Sequence, residues 1–243
     1  MICKLCGQKK GLIEAHIIPR SLYRPLHDGS GTPKLGSNKP GFYPKRSPTG
    51  IYDKELVCGD CEKIFSPWDD YANVLLLSDP IETNYITSGE TKLAYQFQEV
   101  DYPKLKLFFV SLLWRAAVSK QEFFTRIQVG PFEQQLRQLL LNSDPGDPNT
   151  FAVSLAKFDD PLGTVMLDPD RHKWFGINYC RFYLAGYVAY IKVDKRPPPQ
   201  FIEDFVLVPN RPLVVILRNF RSSKELDLMK KLARSSVRSK KMR

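Results

Sequence analysis

Apolar side chains recur at helical spacing in three stretches of the chain, over about residues 67–78, 104–120 and 131–141. The first helix is predicted to begin at Ser66 as its N-cap, because Pro67 follows at the first helical position. The second stretch is apolar nearly all round, which predicts a buried helix. Arg115 within it is expected to be paired or to extend to the surface.

Beyond residue 141 the pattern changes to short apolar and β-branched runs separated by Gly and Pro, which is typical of strands. These runs predict strands over about 151–158, 164–167, 179–184, 187–193, 205–208 and 213–217. We expect them to form a mostly antiparallel sheet packed on the helices, followed by a basic helix over about 222–236. The pattern therefore predicts an α+β protein.

The first sixty residues have a different pattern. Residues 12–18 are apolar and β-branched enough for a short strand that places Glu14 and His16 on one face. Residues 27–50 are rich in Gly, Pro, Ser and Lys, and they predict a long loop. Lys45 and Arg46 in this loop could follow a nucleic acid strand, and the alternative is a disordered insertion.

Two Cys-x2-Cys pairs, Cys3 with Cys6 and Cys58 with Cys61, flank this region. Four thiolates in two compact turns suit tetrahedral zinc, and a shell of four cysteines leaves no open position for water. The pairs therefore predict a structural zinc ion, while catalysis would need a second site. Cys180 lies in an apolar strand pattern and is predicted to be a buried small side chain.

The net charge of +10 is unevenly distributed along the chain. Residues 1–65 carry +5 and residues 221–243 carry +7, whereas the part between them carries −2. Basic side chains contribute most of the sequence-independent affinity for nucleic acids, so both ends are candidate contacts with a phosphate backbone. The alternative for the C-terminal end is a solubilising tail.

No apolar run follows the N-terminus in the manner of a secretory signal, so reduced thiols and a cytoplasmic location are expected. The longest apolar stretch, residues 105–118, is interrupted by polar side chains and is too short to span a bilayer. We predict no membrane partner.

The cysteine framework, the strand that carries His16-Ile17-Ile18-Pro19, the long loop and the second cysteine pair together resemble the HNH endonucleases, which have a treble-clef ββα-metal fold. The resemblance covers about residues 1–75. It implies that His16 is the general base that activates water against a phosphodiester. It also implies that Arg20 contacts phosphate and that a catalytic Mg²⁺ or Mn²⁺ binds nearby.

The chain departs from the family's pattern at three positions. Asp53 stands where the family usually has the Asn that orients the base and the loop, and Glu62 stands where the family has a His or Asn that ligates the catalytic ion. Ala15 replaces an acidic ligand, with Glu14 as the nearest substitute. A carboxylate is a suitable ligand for Mg²⁺ or Mn²⁺. His16, Asp53 and Glu62 each have a structural alternative. These are, in the same order, a strand-end histidine bonded to the backbone, a turn aspartate and an acid in the first turn of a helix.

Residues 106–116, Lys-Leu-Phe-Phe-Val-Ser-Leu-Leu-Trp-Arg-Ala, are also similar to a broad group of bacterial proteins that pair this segment with a comparable cysteine module. The association suits phage defence or mobile-element biology and implies no chemistry of its own.

Three units are therefore predicted: a zinc-stapled HNH-like module over residues 1–80, an α+β accessory body over 81–220 and a basic tail over 221–243. The leading function is a divalent-metal-dependent endonuclease that acts on DNA, with RNA not excluded. The alternatives are a non-catalytic nucleic-acid-binding or adaptor protein, and a protein-interaction body within a larger complex. The predicted nucleic acid contacts are Arg20, Lys45, Arg46, Lys230, Lys231 and Arg234.

Overall fold

The computed structural model describes residues 1–26, 34–35, 45–46, 50–164 and 166–230. Within these ranges helices and strands are both abundant, so the predicted α+β class is confirmed. Within the same ranges no helix is both long enough and apolar enough to cross a membrane.

The N-terminal region is built on two short antiparallel ladders. β1 (Ala15–His16) pairs with β4 (Tyr52–Asp53), and β2 (Lys34–Leu35) pairs with β3 (Lys45–Arg46). The stretch predicted as a continuous loop over 27–50 therefore contains a paired segment, and its other residues up to 49 lie outside the described residues.

Helix α1 (Gly59–Leu77) begins eight residues earlier than the apolar pattern predicts. Cys58, in extended conformation, is its N-cap, so the second cysteine pair starts the helix and Ser66-Pro67 lies inside it. Proline in a helix interior removes one backbone hydrogen bond. Pro67 lies on the exposed side of α1, where water can satisfy the released carbonyl.

Helices α2 (Tyr102–Val118) and α3 (Glu133–Leu141) are close to the predicted positions. The Asp101 side chain caps α2 by accepting a hydrogen bond from the backbone N–H of Lys104, and α2 is buried along most of its length as predicted. Lys106 is also buried. Its ammonium group donates to the carbonyls of Thr150 and Phe151, both at 2.8 Å, and burial lowers the pKa of Lys106 to about 7.

A seven-stranded sheet forms the body, in the order β5-β6-β11-β7-β10-β9-β8. Its strands are β5 (Tyr85–Ser88), β6 (Thr91–Phe97), β7 (Val153–Phe158), β8 (Asp170–Trp174), β9 (Ile177–Leu184), β10 (Tyr187–Lys192) and β11 (Leu213–Arg218). All neighbours are antiparallel except β11 and β7, which run parallel. The mostly antiparallel sheet is therefore as predicted, with one parallel pair at its centre.

The predictions were wrong at two segments and missed three strands. At the described residues of 164–167 and at 205–208 no continuous strand forms, and each segment has only one bridge residue, Leu167 and Val206, of which Val206 pairs with Ser154 of β7. These segments follow 3₁₀ helices over Pro161–Gly163 and Gln200–Phe205. The missed strands β5, β6 and β8 lie at or near the sheet's edges. Edge strands have many exposed polar side chains, which weakens the apolar signal.

One hydrophobic core connects the N-terminal region with the body. It extends from Cys3 and Ile17 through Trp68 on α1 and Trp114 on α2 to Val215 on β11. The cysteine cluster and the sheet therefore share one hydrophobic core.

Gly50 lies two residues before β4 and provides a test of this packing. Its φ is +85°, and a Cβ atom there would lie 2.3 Å from the buried ring of Tyr23. We expect Gly50→Ala to lower the free energy of unfolding by about 1–3 kcal/mol, because it adds backbone strain and a steric clash. Urea denaturation measures this loss. The matched control is Gly11→Ala, since no atom lies within 4 Å of a Cβ at Gly11; equal stability of the two variants would contradict the expectation.

Candidate metal centre and the His16 strand

Four cysteine side chains converge beneath the N-terminal ladders. The Sγ atoms of Cys3, Cys6, Cys58 and Cys61 all lie within 4.8 Å of one another, and those of Cys3 and Cys61 are 3.6 Å apart. A zinc–sulfur bond of about 2.3 Å in a tetrahedron places sulfur atoms about 3.8 Å apart. The donor set and its spacing therefore fit a zinc ion, as predicted from the sequence.

Local backbone geometry brings the two cysteine pairs together. The first pair lies in a tight turn in which the N–H of Gly7 donates to the carbonyl of Cys3 at 2.9 Å, and Gly7 has a φ of +75°. In the second pair, Cys58 precedes α1 and Cys61 lies in its first turn. The N–H of Cys58 donates to the sulfur of Cys3 at 3.4 Å, which joins the two pairs directly.

Two thiols of this cluster, those of Cys3 and Cys61, have perturbed pKa values. Burial raises the pKa of Cys3, but the backbone N–H groups of Cys6 and Cys58 outweigh this effect and lower it to about 7. Burial and the neighbouring sulfurs raise the pKa of Cys61. The backbone donors around Cys3 therefore favour its thiolate, the form that binds a cation. Cys180, in contrast, is buried in β9 away from this cluster, as predicted.

His16 and Asp53 project from opposite faces of the β1–β4 ladder. Ala15 lies opposite Asp53, and His16 lies opposite Tyr52. Cross-strand partners share a face, and successive residues alternate between faces. The His16 ring accordingly contacts the Tyr52 ring edge-on, with centroids 6.1 Å apart, while Ala15 and Asp53 are buried. The structure therefore does not place Asp53 beside the imidazole that it was predicted to orient.

The Asp53 carboxylate instead joins the ladder to the end of α2. It accepts hydrogen bonds from the N–H of Glu55 at 2.8 Å, from the hydroxyl of Ser119 at 2.8 Å and from the N–H of Lys120 at 3.2 Å. Burial raises the pKa of Asp53, but these three donors outweigh it and hold the pKa below its ordinary value. Asp53 is thus a structural link between β4 and the body.

Asp53→Asn should lower the free energy of unfolding at pH 7 by about 1–3 kcal/mol, because an amide cannot accept from all three donors. Since the folded-state pKa is depressed, the contribution of Asp53 is present above the unfolded-state pKa of about 4 and is lost as the pH falls through the folded value. Denaturation at pH 7 and at pH 3 gives the loss of stability on acidification. This loss should be smaller in Asp53→Asn than in the unaltered chain. Asp70→Asn, at an exposed position of α1, is the control; an unchanged pH dependence in Asp53→Asn would contradict the assignment.

Arg115 on α2 holds β1 and α1 together from inside the core. Its guanidinium is fully buried and makes a bidentate ion pair with Asp69 on α1, at 2.7 and 2.9 Å. It also donates to the backbone carbonyl of His16 at 3.0 Å and to the hydroxyl of Ser111 at 3.0 Å. Arg115 is therefore paired, one of the two predicted outcomes, and its partners fix the strand that carries His16. Sequence reasoning noted Arg115 but did not assign it to this site.

Glu62 lies two helical turns before Asp69, on the same side of α1. Burial raises the pKa of Glu62, the positive charge of Arg115 lowers it and the negative charge of Asp69 raises it, with a net upward shift. One carboxylate oxygen is buried and accepts no hydrogen bond from any described residue. A carboxylate oxygen without a donor is suited to bind a cation.

Three of the other predicted site residues, Glu14, Arg20 and Lys230, lie at the surface. Glu14 forms an exposed ion pair with Lys54 at 2.7 Å, and Arg20 is exposed at the start of a 3₁₀ helix over Arg20–Leu26. Lys45 and Arg46 lie on β3. Lys230 is exposed in a helical segment over 224–230, while Lys231 and Arg234 lie outside the described residues.

Comparison of the chain with protein-family models, curated proteins and solved structures finds no match. The site combines a cysteine cluster that fits zinc, a paired strand that carries His16, and the Arg115–Asp69 pair, which joins α2 to α1 while Arg115 bonds the His16 carbonyl.

Proposed function

We propose that the N-terminal region is a treble-clef module of the HNH type and that the protein is a divalent-metal-dependent endonuclease acting on DNA, with RNA as an alternative substrate. The observation that carries the proposal is the cysteine cluster, which brings the Cys3–Cys6 turn against the start of α1, where Glu62 directly follows the last of the four cysteines. His16 lies on the paired strand next to β4.

In this proposal the chain's own residues have separate tasks. The His16 imidazole accepts a proton from the attacking water, and Arg115 fixes the backbone from which that ring projects. Glu62 offers its oxygen to a catalytic cation, for which Mg²⁺ and Mn²⁺ fit an oxygen donor. When bound, such an ion stabilises negative charge on the phosphodiester. Arg20 contributes an exposed cation near the same strand.

The distribution of charge supports a nucleic acid substrate. Residues 1–65 carry a net charge of +5 and residues 221–243 carry +7. Such a surplus favours a polyanion through counterion release. Both ends of the chain would therefore contact the backbone of the strand that is cleaved.

Incubation of the purified full-length chain with plasmid, single-stranded DNA and RNA, each in Mg²⁺ or Mn²⁺, tests the proposal. We expect divalent-ion-dependent cleavage of DNA that falls about 100-fold or more in His16→Ala, because general-base catalysis contributes 10²- to 10⁴-fold. Glu62→Gln should also lose activity, and the loss should be larger at a low Mg²⁺ concentration than at a high one.

Asp60→Asn is the matched control for Glu62→Gln, since Asp60 lies in the same helical turn but is exposed and paired with Lys10 at 2.9 Å. Its cleavage rate should equal that of the unaltered chain. The enzyme proposal would be disproved if His16→Ala still cleaved nucleic acid. It would also be disproved if the unaltered chain cleaved none of the substrates with either metal.

A second candidate is a non-catalytic nucleic-acid-binding or adaptor protein that retains the zinc module. The specific observation in its favour is that two predicted catalytic carboxylates are engaged elsewhere: Asp53 bonds the end of α2, and Glu14 pairs with Lys54. Tight salt-dependent binding of DNA without cleavage under any metal would select this candidate.

A further inference from the structure

The sheet has a second face, turned away from α2, on which polar and aromatic side chains lie beside two small hydrophobic clusters. Along β8 and β9 the core side carries Cys180 and Phe182, while the other side carries His172, Trp174 and Arg181. These side chains are half-buried, and nothing in the proposed nuclease chemistry uses them.

A cavity of about 540 Å³ opens on this face, within the range of about 300–1,000 Å³ typical of ligand sites. Aromatic side chains form one wall, with the Trp174 and Tyr190 rings 5.7 Å apart and the His172 and Tyr190 rings 5.8 Å apart. A neighbouring cavity of about 320 Å³ shares four lining residues with it, so the two form one cleft.

An ion-pair network forms the opposite wall and fixes the chain after β11. Glu225, which is almost fully buried, pairs with Arg218 at 3.1 Å and with Arg181 at 3.3 Å. Arg181 also pairs with Asp170 at 2.8 Å. Two arginines are thereby balanced by two carboxylates, and the wall is held rigidly against the sheet.

Lys224 is a third cation in the lining of the larger cavity, beside Arg181 and Arg218 and against one carboxylate, Glu225. It lines both cavities, it is exposed, and it makes no ion pair with any residue in the described ranges. A positive charge beside two half-buried aromatic rings suits a ligand that combines a flat ring with an anionic group.

His172 adds a neutral polar group to the aromatic wall. Burial lowers the pKa of His172, and the charges of Arg181 and Arg218 lower it further against the opposing effect of Asp170. At neutral pH the ring therefore offers one hydrogen-bond donor and one acceptor, as the polar edge of a nucleobase requires.

We propose that this cleft binds a nucleotide, with the base against Trp174 and Tyr190 and the phosphate at Lys224. The site belongs to the sheet and is separate from the cysteine cluster, so it does not depend on nuclease activity. The ligand is either a free mononucleotide or one nucleotide unit of a strand, since both present the same base and phosphate.

Isothermal titration calorimetry of the full-length chain, without added Mg²⁺ or Mn²⁺, tests the proposal with the four ribonucleoside monophosphates, adenosine, inorganic phosphate and a trinucleotide. We expect one site per chain for a mononucleotide or the trinucleotide, with the affinity reduced about tenfold in Lys224→Glu and about tenfold in Trp174→Leu. Adenosine and inorganic phosphate should each bind more weakly than the nucleotide.

The matched control for the charge reversal is Lys173→Glu, because Lys173 is exposed on the same edge strand but projects from the opposite face. It should bind like the unaltered chain. A second readout is tryptophan fluorescence, since Trp68 and Trp114 are buried in the core and only Trp174 lines the cleft. The ligand should change the emission of the unaltered chain but not that of Trp174→Leu.

Binding of the trinucleotide alone, weakened by both variants, would assign the site to a strand; binding of a mononucleotide would assign it to a free nucleotide. The proposal is overturned if neither binds at millimolar concentration, or if Lys224→Glu and Trp174→Leu both keep full affinity. It is also overturned if inorganic phosphate binds as tightly as the nucleotide.

Discussion

Loss of zinc should unfold the N-terminal region and weaken the whole chain. The purified protein should contain one zinc per chain, and Cys58→Ser should lose it, because a tetrahedral thiolate site needs all four ligands. Binding of structural zinc is coupled to folding, so removal should cost several kcal/mol and lower the melting temperature by on the order of 10 °C. The core connects this region to the sheet, so the effect should reach the body as well.

Metal analysis and thermal denaturation of the same samples measure the two effects. Cys180→Ser is the matched control, since Cys180 is equally buried but lies outside the cluster. It should keep one zinc per chain even if it loses some stability. A folded, zinc-free protein with an unchanged melting temperature would disprove the metal site.

Arg115→Met should destabilise the chain by about 3–5 kcal/mol. The substitution removes a fully buried cation and leaves the Asp69 carboxylate, which is 15% exposed, without its partner. It also removes the donor to the His16 carbonyl. Arg115→Lys should be nearly as unstable as Arg115→Met, because an ammonium group cannot make the bidentate contact with Asp69.

Urea denaturation of Arg115→Met, Asp69→Asn and the double variant measures the pairing directly. The double variant should lose less stability than the two single variants lose in sum, because it leaves no buried charge without a partner. Purely additive losses, or full stability of Arg115→Lys, would contradict the proposed role of the pair.

The cysteine cluster and the buried α2 could be predicted from the sequence because each has a strong local signal. The spacing of two Cys-x2-Cys pairs predicts a zinc site, and a continuous apolar run of helical length indicates a buried helix. The start of α1 could not be placed in this way. Ser66-Pro67 is a good local start signal, but the cysteine turn at Cys58 starts the helix earlier.

The surroundings of His16 could not be predicted, because they depend on contacts between distant parts of the chain. Arg115 reaches the carbonyl of a residue 99 positions away. The register of β1 against β4 decides which face Asp53 occupies, and a shift of one residue would reverse that face. The cleft on the sheet likewise collects side chains from β8, β10 and the segment after β11, none of which has a motif of its own.

The position of β11 has a consequence for synthesis of the protein. Among the described strands it is the last in the sequence, yet it lies between β6 and β7 and contributes their only parallel pairing. Before residues 213–218 are synthesised, β6 and β7 both lack the strand that pairs with them in the folded sheet. A chain that terminates before β11 would therefore expose two unpaired strand edges, and we expect it to aggregate.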